Sequence, residues 1–151
     1  MKTILLVLSF AFALFCNALH AEQSSSFGDY VVHYNALTTD QILPSIARPY
    51  GILRSKNRAL LNIAVQEKVM GNPVNPVEAD IKVTATNLSA QLKTVEMRKI
   101  TSSGSDDSMA IYYIGELPVA NEETIKFNIS VSPAGGSQTH EFSFDQQFFT
   151  N

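Results

Sequence analysis

Beyond residue 21 the chain contains no cysteine, so no intrachain disulfide staples it and the disulfide-dense secreted scaffolds are excluded. It has no apolar run of the roughly 20 residues that a membrane-spanning helix needs. The longest such stretch, residues 4–15, is short, is broken by Ser9 and is followed by no basic stop-transfer cluster. Internal repeats, coiled-coil heptads and low-complexity segments are also missing. So are the motifs of common chemistries. There is no G-x-S-x-G elbow, no H-x-x-x-H pair and no aspartate-rich calcium loop. Between Asp40 and Glu67 there is not one carboxylate.

What the N-terminus does have is an address. Lys2, the apolar residues 4–15 and the ending "NALHA" have the anatomy of a secretory signal peptide. This predicts a leader over residues 1–21, cleaved near Ala21, and a single domain over residues 22–151. Lipidation at Cys16 requires a small preceding residue, and Phe15 stands there instead. A cysteine-free exported domain points to the bacterial periplasm, with no stable membrane anchor. The formal charge of −3 becomes −4 once Lys2 leaves, because residues 1–21 hold no acid. Mild acidity and export both argue against nucleic acid as a partner.

The rest of the chain alternates with period two. In "VEADIKVTATN", Val77, Ala79, Ile81, Val83 and Ala85 point one way, and the intervening residues are polar or charged. "TIKFNISV" repeats the pattern, as does "HEFSFDQQF" with Phe142, Phe144 and Phe148. Weaker strands are predicted over 30–37, 59–69, 92–100 and 109–117, giving about seven. "GNPVNP", "SSGSDDS" and "PAGGSQ" separate them as turns. The connection 38–58 breaks the rhythm, with room for a helical turn or two capped by Asp40, inward Ile42, Leu43 and Ile46, and a stop at Gly51. The expected fold is all-β, an immunoglobulin-like β-sandwich of about seven antiparallel strands, with a small closed barrel as runner-up.

Catalytic candidates are few. His33 in "YVVHYN" and His140 in "QTHEFSF" are the histidines left after residue 21, and a hydrolase or metal-dependent enzyme would be built around one of them. With Met70, Met97 and Met109 they show no short metal-ligand spacing, so no metal or other cofactor is expected. Asp106-Asp107 and Glu122-Glu123 are sequence neighbours, which on a strand face opposite ways and make poor acid–base pairs. The expectation is a non-enzyme.

The acid-free stretch carries Arg48, Arg54, Lys56 and Arg58. As a binding surface, four exposed cations supply about 4 kcal/mol, which steers a partner without anchoring it. As structure, alternating strand directions place the loops 38–58, 88–91 and 118–123 at one end of the sandwich. Glu122 and Glu123 then become expected carboxylate partners for the arginine forks. A protein of the cell envelope is the expected partner if the surface is free.

Four segments in order, "FGDYVVHYNAL", "LPSIARPYGILRSKNRALLNI", "ATNLSAQL" and "AIYYIGELPVANEETIKFNISV", resemble the gammaproteobacterial domain-of-unknown-function family 4426. The resemblance covers essentially the whole chain after residue 21, and its most specific parts are the "RSKNR" and "NEET" runs and the "FGDY-x-VHY" start. It implies a leader and one exported all-β domain, and it brings no catalytic residues.

Overall fold

The computed structural model describes residues 23–103 and 109–151. The expected leader, Cys16 and the Asp106-Asp107 pair lie outside the described residues. Among the described residues ten strands form two antiparallel sheets: β1 (Gln23–Phe27), β2 (Tyr30–Thr38), β3 (Arg58–Val69), β4 (Asn72–Pro76), β5 (Ala79–Asn87), β6 (Leu92–Thr94), β7 (Arg98–Ser103), β8 (Met109–Pro118), β9 (Glu123–Pro133) and β10 (His140–Phe148). The first sheet runs β1-β2-β3-β8-β7, with β4 added on β3, and the second runs β10-β9-β5-β6. Without β1 and β4 these are the A-B-E-D and G-F-C-C′ sheets of an immunoglobulin-like sandwich. The sheets do not close into a barrel.

The alternation seen in the sequence is the reason they pack. Ile81, Val83 and Ala85 of β5 and their neighbours Ile125, Phe127, Ile129 and Val131 of β9 pack with the inward residues Leu61, Ile63, Val65 and Leu117 of the other sheet in one core. Phe127, Leu61, Ile63 and Leu117 are its largest fully buried side chains.

Three strand expectations are corrected. β1, "QSSSF", has no hydrophobic alternation; it forms because Gly28-Asp29 makes a two-residue hairpin with positive φ at Gly28 only, the type II′ pattern. "GNPVNP" is not merely a turn. Met70 and Gly71 both take positive φ and reverse the chain, and Asn72–Pro76 then pairs with β3 as an edge strand, where prolines are tolerated. The single strand expected over 92–100 is two, β6 on one sheet and β7 on the other, joined by a crossover at residues 95–97 that passes over Gly115.

The connection between β2 and β3 lies across the outer face of the first sheet. It holds a 3₁₀ turn (Thr39–Gln41) and one helical turn, α1 (Pro44–Ala47). Ala47 and Ile52, with the half-buried Ile42 and Tyr50, cover Leu60 and Ile114 and so form a second, smaller core outside the sandwich. Fully buried Thr39 pins this strap: its hydroxyl lies 2.8 Å from the Leu53 carbonyl and accepts from the Ser55 N–H at 2.9 Å. The helical turn ends at Ala47 with Arg48 as its C-cap, and Gly51, at φ +63°, belongs to the turn that follows, with the Ile52 N–H returning to the Ala47 carbonyl. Two further expectations fail here. Asp40 caps nothing, since Leu43 occupies the N-cap position, and Leu43 and Ile46 point to solvent rather than to the core.

Candidate functional site

The strap's end of the sandwich gathers what the sequence singled out. The Val119 N–H donates to the Asn57 carbonyl at 3.0 Å, and Asn87 reaches Glu123 at 3.0 Å. The three loops before β3, β6 and β9 therefore share one end, as strand direction predicts.

The basic residues have divided roles. Arg54 forks onto two backbone carbonyls of its own strap, Ile42 and Asp40, both at 2.6 Å. Arg58 meets Glu116 on β8 at 3.1 Å, and Arg98 on β7 lies 3.8 Å from the other oxygen of that carboxylate. Arg98 also donates to the Tyr50 carbonyl, which ties the strap to the sheet edge. Arg48 and Lys56 are exposed and make no hydrogen bond or ion pair among the described residues. The expected clamp between the basic run and Glu122-Glu123 is not formed. Arg58 sits opposite Pro118 and diagonal to Glu116 in the β3–β8 ladder, so Glu116 is the carboxylate within reach.

Glu123 is taken by Lys93 instead. Its carboxylate receives the Lys93 ammonium at 2.8 Å, the Asn87 amide at 3.0 Å and the Ala120 N–H at 2.9 Å. Lys93 also donates to the Pro118 carbonyl, so one ammonium joins the two sheets. Glu122 takes positive φ in the turn, and its carbonyl accepts from Gln147. Asn87 opens the sequon Asn87-Leu88-Ser89, and its amide nitrogen is committed to Glu123 and Gln91.

Burial pushes the Glu123 carboxyl up, but hydrogen bonds from Lys93, Asn87 and Ala120, with the Lys93 charge, outweigh it and hold the group below its ordinary value. The unfolded chain therefore binds the extra proton as pH falls. The stabilisation is complete above the ordinary glutamate pKa of about 4.3 and is lost as pH drops through the lower folded value. Glu123→Gln is expected to cost about 1–2 kcal/mol at neutral pH. Its melting curve should converge on the wild-type curve as pH approaches about 3. Parallel curves at every pH would mean that the charge contributes nothing.

The histidines do not converge. Ser24 lies opposite His33 in the β1–β2 ladder, while its neighbour Ser25 holds His140 Nε2 at 2.8 Å, so the two rings occupy opposite faces of the first sheet. His140 is stacked on Phe27 at 4.3 Å and lies against Phe142. Among the described residues no group of three or more His, Cys, Asp or Glu is placed to hold a metal. Met97 packs against the core, and Met70 and Met109 are exposed. No helix among the described residues is long and apolar enough to cross a membrane.

Sequence reasoning missed the apolar component of this end. Leu43, Ile46 and Leu53 on the strap are 65%, 51% and 65% exposed, and Leu88, Leu92 at the start of β6 and Phe149 are exposed at the same end of the sandwich. A signal was present in "LPSI": Pro44 fixes the first turn of α1 and leaves Ala47 as the inward residue.

The family model for the domain of unknown function DUF4426 matches residues 24–151. A solved structure, that of a DUF4426 family protein from Pseudomonas aeruginosa PAO1, superposes with a TM-score of 0.72 at 30% identity, covering 88% of this chain and 98% of that one. No curated protein matches the chain. With the family model spanning nearly the whole described fold, and a relative of known structure sharing its architecture, the chain belongs to the DUF4426 family.

Proposed function

We propose that the protein is a non-enzymatic binding module of the bacterial periplasm, exported by its first 21 residues, that meets a protein of the cell envelope through the strap. The observation that carries this reading is the exposure of Leu43, Ile46 and Leu53 on a connection whose backbone is pinned by Thr39 and Arg54. Large apolar side chains on a held backbone lose little entropy on binding. They share one strap with the exposed cations Arg48 and Lys56, a mix of apolar and charged side chains suited to an interface. Arg54 and Arg58, engaged within the fold, support the surface without facing a partner.

The alternative, a hydrolase built on a histidine, has one contact in its favour, the Ser25–His140 pair. A serine nucleophile needs a base oriented by a third group and donors for the developing oxyanion. Nothing among the described residues hydrogen-bonds the other nitrogen of His140, and Phe27 and Phe142 fix its ring. The pair reads as a pin between β1 and β10.

A photocrosslinking amino acid placed at position 46 in living cells tests the proposal, with one at position 126, on the outer face of the second sheet, as reference. The expected result is a defined protein adduct from position 46 in the periplasmic fraction, absent from position 126 and lost when Leu43 and Leu53 become serine. Equal labelling from both positions, or none from position 46, removes the strap as an interface.

A further inference from the structure

A concave surface of about 730 Å³ opens where the lower half of β2 approaches the end of β10. Residues Asn35 to Thr38 of β2 line the opening. Asn35 and Asn62 stand directly opposite each other in the β2–β3 ladder, on the outer face of the sheet. One row above, His33 faces Ala64, whose small side chain leaves a slot that Tyr112 of β8 lines as well. The opposite wall is the end of β10, Gln146 to Phe148, followed by Phe149.

The composition of this lining is the informative feature. Charged residues make up 17% of the chain, so fifteen lining residues would ordinarily include two or three. The described lining has no Asp, Glu, Lys or Arg, and six of its fifteen residues are carboxamides. Much of their hydrogen-bonding capacity is unspent. The Gln23 and Asn35 amides make no hydrogen bond among the described residues, and the Asn62 side-chain oxygen is buried without a partner. Gln41 donates to the Thr38 hydroxyl and Gln146 to the Gln147 carbonyl, which leaves their oxygens available.

A carboxamide offers a donor and an acceptor side by side, which matches a hydroxyl that does both. Aromatic faces such as Tyr112 and Phe149 match the C–H face of a sugar ring. A described lining without Asp, Glu, Lys or Arg is not built to select phosphate, carboxylate or a cation. We propose that this cleft binds an uncharged oligosaccharide, through residues other than Leu43, Ile46 and Leu53 of the strap. An extended peptide suits it less well. Side-chain amides dominate the lining, where strand addition would rest on backbone groups.

The test is amide-resolved NMR on protein carrying residues 22–151, which contain the whole described fold. The probes are the uncharged tetrasaccharides of N-acetylglucosamine and of glucose in β-1,4 linkage. Saturable shifts confined to Asn35, Asn62, Gln146, Phe149 and their neighbours are expected. A response to the first sugar alone assigns an acetamido ligand, and a response to both assigns the bare ring face. Tyr112→Ala should weaken binding at least about tenfold, and Tyr112→Phe should not, with both spectra showing an intact fold. No shift with either sugar at about 10 mM, weaker than any useful affinity, overturns the proposal. So does a neutral peptide that binds the same residues more tightly and protects the β2 amide protons from exchange.

Discussion

Truncating Phe127 to alanine is expected to lower the thermal midpoint by about 10–20 °C, the equivalent of about 3–5 kcal/mol. Phe127 is fully buried in the middle of β9. Ala85 flanks it on β5 and Phe144 flanks it on β10, whose ring stacks on it at a centroid distance of 5.0 Å. Alanine would leave a hole bordered by one small neighbour and one ring that Tyr34 already holds from the far side. The site therefore has little to collapse with, and a cavity that persists is the costly kind. Phe144→Ala, at a partly buried position, should cost clearly less. Differential scanning calorimetry of the two variants decides it. Equal losses would mean that the core is not centred on β9.

Gly115→Val is expected to destabilise by about 3 kcal/mol or more, from overpacking rather than from a void. A Cβ at this position would lie 2.5 Å from Val95 Cγ1, 2.6 Å from Met97 Sδ and 3.2 Å from the Glu96 carbonyl oxygen. The methionine sulfur can swing away, but the valine branch and the backbone oxygen cannot. These atoms belong to the crossover that carries the chain from the second sheet to the first, so relief requires moving β6 or β7. Adding Val95→Ala should recover part of the loss, because the two substitutions share one space. Simple additivity of the two losses in denaturant unfolding would count against this placement of the crossover.

Much of the fold was legible because the core faces only one side of each strand. β5, β9 and β10 alternate in the structure as they alternate in the sequence. β3 was less clear, with Ala59, Leu60 and Leu61 buried in succession, because the strap covers the outer face where Leu60 emerges. The candidate site was legible only in its location. Strand direction brought the right loops together, but pairing depends on register, and register decides that Arg58 meets Glu116 while Glu123 meets Lys93. A single sequence carries no direct record of which residues stand opposite. The exposure of Leu43 and Ile46 was hidden for a related reason. One helical turn has too few residues for its periodicity to reveal a buried face.

The short strand β4 has a bearing on how the protein behaves at high concentration. Its five residues include Pro73 and Pro76, neither of which has an N–H to offer, and Gln66 and Lys68 of β3 are their ladder partners. A flat, fully hydrogen-bonding rim on a sheet invites identical chains to stack on it and grow into fibrils. Here the rim beside β3 is closed by a segment that lacks two of its five donors. That part of the sheet is a poor seed for polymerisation, even where many copies of the chain are crowded together.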